Sequence, residues 1–136
     1  MGVTDFDTKL AVVVRDDLAA WQRLNVCAFL VSGLGAPVGE PYEDGDGHTY
    51  LPLFVQPVLV FVAPDAAKLQ TLRERAERRG VPLAIYTSEM FATGKDEDNR
   101  AAVRAVPTGE LDLVGVALHA PHRDADAVLR GLARHP

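Results

Sequence analysis

Residues 57–65 read Pro57-Val58-Leu59-Val60-Phe61-Val62-Ala63-Pro64-Asp65, an apolar run that leads directly into a helix start. A continuous run of large apolar residues bounded by prolines is typical of a strand that is buried on both faces. Asp65 can then accept hydrogen bonds from the first backbone N–H groups of a helix, and its charge favours that end of the helix dipole. A buried strand followed by a helix indicates a layered α/β sheet.

Three further apolar runs repeat this pattern, at residues 9–14, 81–86 and 111–118. Helical patterns separate the runs, because apolar residues recur every three or four positions and glycines stop them. The predicted helices cover residues 21–32, the segment from Asp65 to Gly80, short stretches near 89–91 and 96–103, and a last helix that starts at Pro121 and directs Ala125, Val128, Leu129 and Leu132 inward.

The alternation predicts a single α/β domain over residues 1–136. Strands that alternate with helices favour a three-layer α/β/α arrangement, with a mixed, four-stranded central sheet and helices on both faces.

Residues 36–56 depart from this alternation, since prolines and glycines punctuate the whole segment. The turn sequence Asp44-Gly45-Asp46-Gly47 is expected to join two short edge strands, near Tyr42 and at residues 49–51. A hairpin insertion at about residues 37–56 is therefore predicted. The turn lacks the ligand pattern of an EF-hand calcium loop. No metal or cofactor is predicted elsewhere.

Charge and composition exclude several classes of function. The 136 residues include 14 Lys and Arg against 19 Asp and Glu, which gives a net charge of -5. This balance argues against nucleic-acid binding, because no net positive field attracts phosphates. The acidic start, Met1-Gly2-Val3-Thr4-Asp5-Phe6-Asp7, does not resemble a signal peptide, and the apolar runs are far shorter than a membrane span of about 20 residues. A cytoplasmic protein is expected.

The single cysteine, Cys27, excludes a disulfide within the chain. It lies on an apolar helical stripe with Leu24, Ala28 and Val31. A thiol in such surroundings stays protonated, so Cys27 is predicted to be buried and unreactive.

Polar side chains concentrate where the first strand meets the next helix. Ligands of open α/β sheets bind beyond the carboxyl ends of strands, close to helix N-termini. The candidate ligand-binding residues are Arg15, Asp17, Gln22, Arg23 and Asn25, together with Thr87 at the end of the third predicted strand. An arginine would hold an anion, Asp17 would act as a base or orienting group, and Asn25 and Thr87 would supply hydrogen bonds.

Two classes of function fit these residues. The first is a small-ligand site after the first strand, for binding an anionic ligand or for hydrolysis, and no catalytic residue can be named for it. The second is a noncatalytic homodimeric interaction module, in which the apolar helix and the hairpin form the interface.

The segment Arg15-Asp16-Asp17-Leu18 resembles the start of a type II peptidyl-tRNA hydrolase. More closely, the chain resembles an uncharacterised bacterial family, a domain of unknown function on the same fold. The residues that carry this likeness are Trp21-Gln22-Arg23-Leu24-Asn25-Val26, Ala28-Phe29-Leu30, Ser32-Gly33, Glu40-Pro41-Tyr42, Gln56-Pro57, Thr93-Gly94, Asp98-Asn99-Arg100 and Leu113-Val114-Gly115.

The resemblance implies a type II hydrolase-like fold without that family's activity. Where the hydrolases carry lysines, this chain reads Trp21-Gln22-Arg23-Leu24, and where they carry a Ser-His pair it reads Leu30-Val31. Thr87 takes the place of their acidic residue. Because a shared fold does not carry activity with it, no meaningful peptidyl-tRNA hydrolysis is expected, and residual activity of this kind is the third and least favoured of the alternative functions.

Overall fold

The computed structural model describes residues 6–136, which form seven β-strands and four α-helices. The strands are β1 (Thr8–Arg15), β2 (Tyr42–Glu43), β3 (Thr49–Tyr50), β4 (Val58–Ala63), β5 (Ala84–Thr87), β6 (Leu113–Pro121) and β7 (Ala133–Arg134). The helices are α1 (Ala20–Ser32), α2 (Ala66–Arg78), α3 (Asp96–Arg104) and α4 (His122–Leu129), with short 3-10 helices at Ser88–Ala92 and Thr108–Glu110. Residues 1–5, which belong to the predicted domain and to its acidic start, lie outside the described part.

The main sheet has the strand order β5-β6-β1-β4-β7. β1 pairs in parallel with β4 and antiparallel with β6, and the outer pairs β5–β6 and β4–β7 are antiparallel. Residues 10–14 of β1 are buried, because strands flank them on both sides and helices cover both faces. The predicted mixed α/β fold is thus confirmed.

The predicted number of four strands is wrong, because β7 adds a fifth. α4 ends at Leu129 instead of continuing to Leu132, and Gly131 turns the chain with a φ of 86°. Ala133 then pairs with Val62, and Arg134 pairs with Phe61. The Arg134 guanidinium also lies 5.2 Å from the centroid of the Phe61 ring, a favourable cation–π geometry. A strand of two residues is too short to show any alternation in sequence.

Each face of the sheet has its own apolar cluster. Val12 and Val14 point towards α1, where they pack with Val26 and Leu30. The alternate residues of β1 pack on the other face with apolar residues of α2 and α4, namely Leu69, Leu72, Ala76, Ala125, Val128 and Leu129. The sheet and the helices that cover its two faces make up the predicted three layers.

The predicted orientation of α1 is wrong. Its buried residues are Val26 and Leu30, whereas Leu24 is 73% exposed and Ala28 is exposed as well. The cause is that only the sheet side of α1 is covered, although the helix is apolar on nearly every side. Cys27 is accordingly half-buried rather than buried, and this partial burial raises the pKa of its thiol.

The predicted hairpin is confirmed. Tyr42 pairs with Tyr50, and Glu43 pairs with Thr49. Asp44 holds the turn, because its carboxylate accepts from the backbone N–H of His48 at 3.0 Å and from the Tyr50 hydroxyl at 2.8 Å. The Tyr50 hydrogen bond is the largest cause that lowers the pKa of Asp44. We call residues 37–55 the hairpin arm.

The contact between α1 and β6 depends on Gly115. A Cβ atom at this position would lie 2.6 Å from Val26 Cγ1 and 3.2 Å from the Val13 carbonyl oxygen. Both distances are shorter than van der Waals contact, so only glycine lets the helix approach the sheet this closely.

We expect Gly115→Ala to lower the free energy of unfolding by about 1–3 kcal/mol, the usual cost of overpacking a core. Urea denaturation checks this value. Gly109→Ala is the matched control, since no atom lies within 4 Å of the Cβ position there. Equal stability of the two variants would contradict the steric explanation.

Candidate functional site

Arg15 links the end of β1 to the start of β6. Its guanidinium contacts an Asp17 carboxylate oxygen at 2.7 Å and an Asp112 carboxylate oxygen at 2.8 Å. It also donates to the backbone carbonyl of Leu113 at 3.1 Å. The Asp17 hydrogen bond is the largest cause that raises the pKa of Arg15, and the same bond lowers the pKa of Asp17. Because carboxylates neutralise its charge and its hydrogen bonds reach Asp112 and Leu113, Arg15 ties the end of β1 to the start of β6.

Gln22 and Arg23 support the start of α1. The Gln22 side-chain oxygen accepts from the backbone N–H of Ala19 at 2.9 Å, and Ala19 rather than Asp17 is the N-cap. The Arg23 guanidinium donates to the Leu18 carbonyl at 3.0 Å and to the Asp16 carbonyl at 2.6 Å. These contacts hold the turn between β1 and α1.

Thr87 is fully buried at the end of β5. Its hydroxyl finds no hydrogen-bond partner among the described residues. Its backbone N–H donates to the sulfur of Met90 at 3.3 Å, which closes the first turn of the following 3-10 helix.

A groove of about 790 Å³ lies between α1, the 3-10 helix at Ser88–Ala92, and α3. Pockets that hold small molecules typically measure about 300–1,000 Å³. The groove is lined by the aromatic side chains Trp21, Phe29, Tyr86 and Phe91, and by the polar side chains Asn25, Ser32, Thr93, Lys95, Asp96, Asn99, Arg100 and Arg104.

The aromatic side chains form a continuous wall. Phe91 lies 6.1 Å from Trp21 in an edge-to-face arrangement and 5.1 Å from Tyr86, measured between ring centroids. Tyr86 in turn lies 6.2 Å from Phe29. Tyr86 is buried, whereas Trp21 is 63% exposed and Phe29 is 56% exposed. The wall therefore offers aromatic surface that a flat or apolar ligand can cover.

The opposite rim is polar and carries unbalanced positive charge. Arg100 forms an ion pair with Asp96, one turn away on α3. Lys95 and Arg104 form no ion pair with any residue in the range 6–136. Thr93 donates to the side-chain oxygen of Asn99, so the amide group of Asn99 keeps its N–H donors for another partner.

Of the six predicted site residues, Asn25 is the one that lines this groove. Arg15 ends β1, Asp17 lies in the turn that follows, Gln22 and Arg23 belong to the first turn of α1, and Thr87 lies in the core. Their role in ligand binding stays a prediction. Sequence reasoning missed the other lining residues, among them Phe91, Lys95 and Arg104. The polar residues Thr93 and Asn99, which follow the third predicted strand, were the available signal.

A second polar cluster lies at the other end of β1. The Thr8 hydroxyl lies 3.1 Å from the Gln56 side-chain oxygen and 2.9 Å from His119 Nε2. The Gln56 amide also donates to the Thr8 carbonyl at 2.9 Å. Because these partners belong to neighbouring parts of the sheet and satisfy one another, the cluster holds β1, β6 and the start of β4 together.

Residues 6–136 offer neither a cluster of metal-binding side chains nor a membrane-spanning helix. No group of three or more His, Cys, Asp or Glu side chains is arranged to hold a metal ion. No helix in this range combines the length and the apolar character needed to cross a membrane.

Comparisons with known proteins agree with this fold. Residues 8–136 match a family described as "Protein of unknown function (DUF2000)". A solved structure of a protein of unknown function from Agrobacterium tumefaciens strain C58 is similar, with 41% sequence identity and a TM-score of 0.92 over 96% of this chain and 99% of that chain. No curated protein matches the sequence.

The Arg15–Asp17 contact makes stability depend on pH. Because the folded pKa of Asp17 lies below the unfolded value of about 3.9, its contribution is present above that value and is lost as the pH falls through the folded pKa. We expect Asp17→Asn to lower stability at neutral pH by at most about 1 kcal/mol, since Asp17 is largely exposed.

Thermal unfolding between about pH 7 and pH 2 checks this expectation, and the difference from the wild type should vanish at the acidic end. Asp16→Asn is the control, because no described residue bonds to the side chain of Asp16. A difference that persisted at the lowest pH would contradict the assignment.

Proposed function

The chain belongs to the DUF2000 family of proteins of unknown function, and we propose that it binds a small anionic ligand with an aromatic or apolar body in the groove between α1 and α3. The observation that carries the proposal is the pairing of an aromatic wall with two cations, Lys95 and Arg104, that no described carboxylate neutralises.

The wall accounts for the apolar part of the ligand. Trp21 and Phe29 expose more than half of their surface although each contacts another aromatic ring. Covering such rings removes apolar area from water at about 25 cal/mol per Å². A flat ligand body gains most from this surface, because aromatic rings favour offset-stacked and edge-to-face contacts.

The rim accounts for the charged part. Lys95 precedes the first turn of α3, and Arg104 is the last residue of the helix. An anionic group at either end of α3 would meet one of these positive charges, while the amides of Asn25 and Asn99 offer hydrogen-bond donors from opposite sides of the groove. The amide donors would fix the orientation of a bound ligand, and the cations would favour a ligand with negative charge.

Binding is favoured over hydrolysis at this site. Asp96 is the one carboxylate among the described lining residues, and it is already paired with Arg100. A general base needs a carboxylate or imidazole within hydrogen-bond reach of the attacking group, free to accept its proton.

We further propose that the sheet follows the type II peptidyl-tRNA hydrolase fold. The support is the Arg15-Asp16-Asp17-Leu18 segment after a buried strand, together with the mixed sheet and its two helical layers. Activity on tRNA is not part of the proposal, since a net charge of -5 gives the chain no net attraction for a polyanion.

A fluorescence titration tests the proposal, because Trp21 is the single tryptophan of the chain and lines the groove. The probes are phenylacetate, 3-phenylpropionate and nucleoside monophosphates, each beside a neutral analogue such as phenylacetamide. We expect a saturable change in Trp21 emission with at least one anion. We also expect affinity for that anion to fall at least about tenfold, or 1.4 kcal/mol, in the Lys95→Ala/Arg104→Ala double variant.

Arg78→Ala is the matched control, since it removes an exposed arginine from α2, outside the groove. Its affinity should equal that of the wild type. The proposal fails if no probe saturates, or if the double variant and the neutral analogues bind as tightly as the wild type binds the anion.

A further inference from the structure

We propose that the hairpin arm of one chain packs against the exposed side of α1 in a second copy, so that two copies form a two-fold homodimer. This inference does not rest on the proposed ligand. It rests on the exposure, the area and the charge of the arm.

The arm is regular in structure but has no core beneath it. Every residue from 37 to 51 is exposed. The backbone is nevertheless paired along the arm, through Tyr42 with Tyr50 and through a bridge between Val38 and Phe54. Two-stranded hairpins are at best marginally stable alone in water. The arm thus has the form of a segment that is completed by contact with another surface.

Large apolar side chains dominate the arm. Leu51 is 84% exposed, and the other exposed members are Val38, Tyr42, Tyr50, Leu53 and Val55. With Leu24 of α1 they expose on the order of 350–650 Å², if a full tyrosine side chain is taken as roughly 150–250 Å² and a leucine or valine side chain as roughly 60–120 Å². The largest apolar patch of a typical monomer is about 300–600 Å², and a standard interface buries about 600–1,000 Å² per partner. The exposed area therefore reaches the lower end of one half of a stable dimer interface.

Charge places the arm on the body of the partner rather than on the other arm. The arm carries Glu40, Glu43, Asp44 and Asp46 and no lysine or arginine. Two arms packed on each other would bring like charges together, which is unfavourable. Outside the arm, 14 Lys and Arg face 15 Asp and Glu, so the body of a partner repels the acidic arm far less than a second arm would.

The dimensions allow this placement. Each side of the arm extends over about eight residues, or roughly 25 Å at the usual rise of a strand. The 13 residues of α1 span about 20 Å. Every copy has both the arm and the exposed helix, so a two-fold pairing covers both surfaces at once, as isologous dimers do. A second copy is therefore the partner that the surface fits.

Sedimentation equilibrium of the full chain at micromolar concentration tests the proposal. We expect twice the 14.7 kDa mass of one chain for the wild type. Leu51→Asp and Leu24→Asp each place a charge at an exposed position and should raise the dimer dissociation constant at least about tenfold. Ala67→Asp is the control, because it adds the same charge at an exposed position in the first turn of α2, on the other face of the sheet.

Circular dichroism shows that each variant is folded before its mass is measured. A dimeric wild type, an unchanged dissociation constant in Ala67→Asp and a dissociation constant raised at least about tenfold in both leucine variants would support the proposal. A monomeric wild type overturns it. A dissociation constant that either leucine substitution leaves unchanged overturns it as well.

Discussion

The close approach of α1 to Gly115 is the contact on which the functional side of the molecule depends. Val26 and Leu30 reach into the sheet at this point, where no side chain stands in their way. Their burial fixes the rotation of α1 about its own axis. The same rotation turns Trp21, Asn25 and Phe29 towards the groove and leaves Leu24 exposed. The absence of a side chain at Gly115 of β6 therefore decides which residues of α1 are available for binding.

Charged residues in this protein serve two different purposes. Arg15 and Arg23 have several partners each, and those partners are carboxylates or backbone carbonyls close by in the fold. Lys95 and Arg104 have no such carboxylate. The difference is one of position, since the first pair lies at the junction of β1, α1 and β6, where unpaired backbone carbonyls need donors. Arg15 and Arg23 thus stabilise the fold at the start of α1. Lys95 and Arg104, in the groove beside α1, have no carboxylate partner among the described residues and stay available to a ligand.

The strands could be predicted because buried strands leave continuous apolar runs, as at residues 58–62. The buried side of α1 could not, since a helix that is apolar on nearly all sides has no periodicity to show which side meets the sheet. β7 escaped prediction because two residues carry no pattern. Of the six candidate site residues, Asn25 is the one that lines the groove. The groove forms between residues 21–32 and 85–104, and packing, rather than spacing in the sequence, decides which of their side chains meet there.

The position of β6 within the sheet also governs when the fold can form. β6 separates β5 from β1, and it pairs Gly115 with Val14, about a hundred residues earlier in the chain. On the ribosome, the apolar strands β1 and β4 emerge long before the strand that covers one edge of β1. Until then this edge stays unpaired, and unpaired apolar edges are where nascent chains aggregate. The sheet therefore closes only after translation has passed β6, because one edge of its earliest strand stays unpaired until its latest long strand arrives.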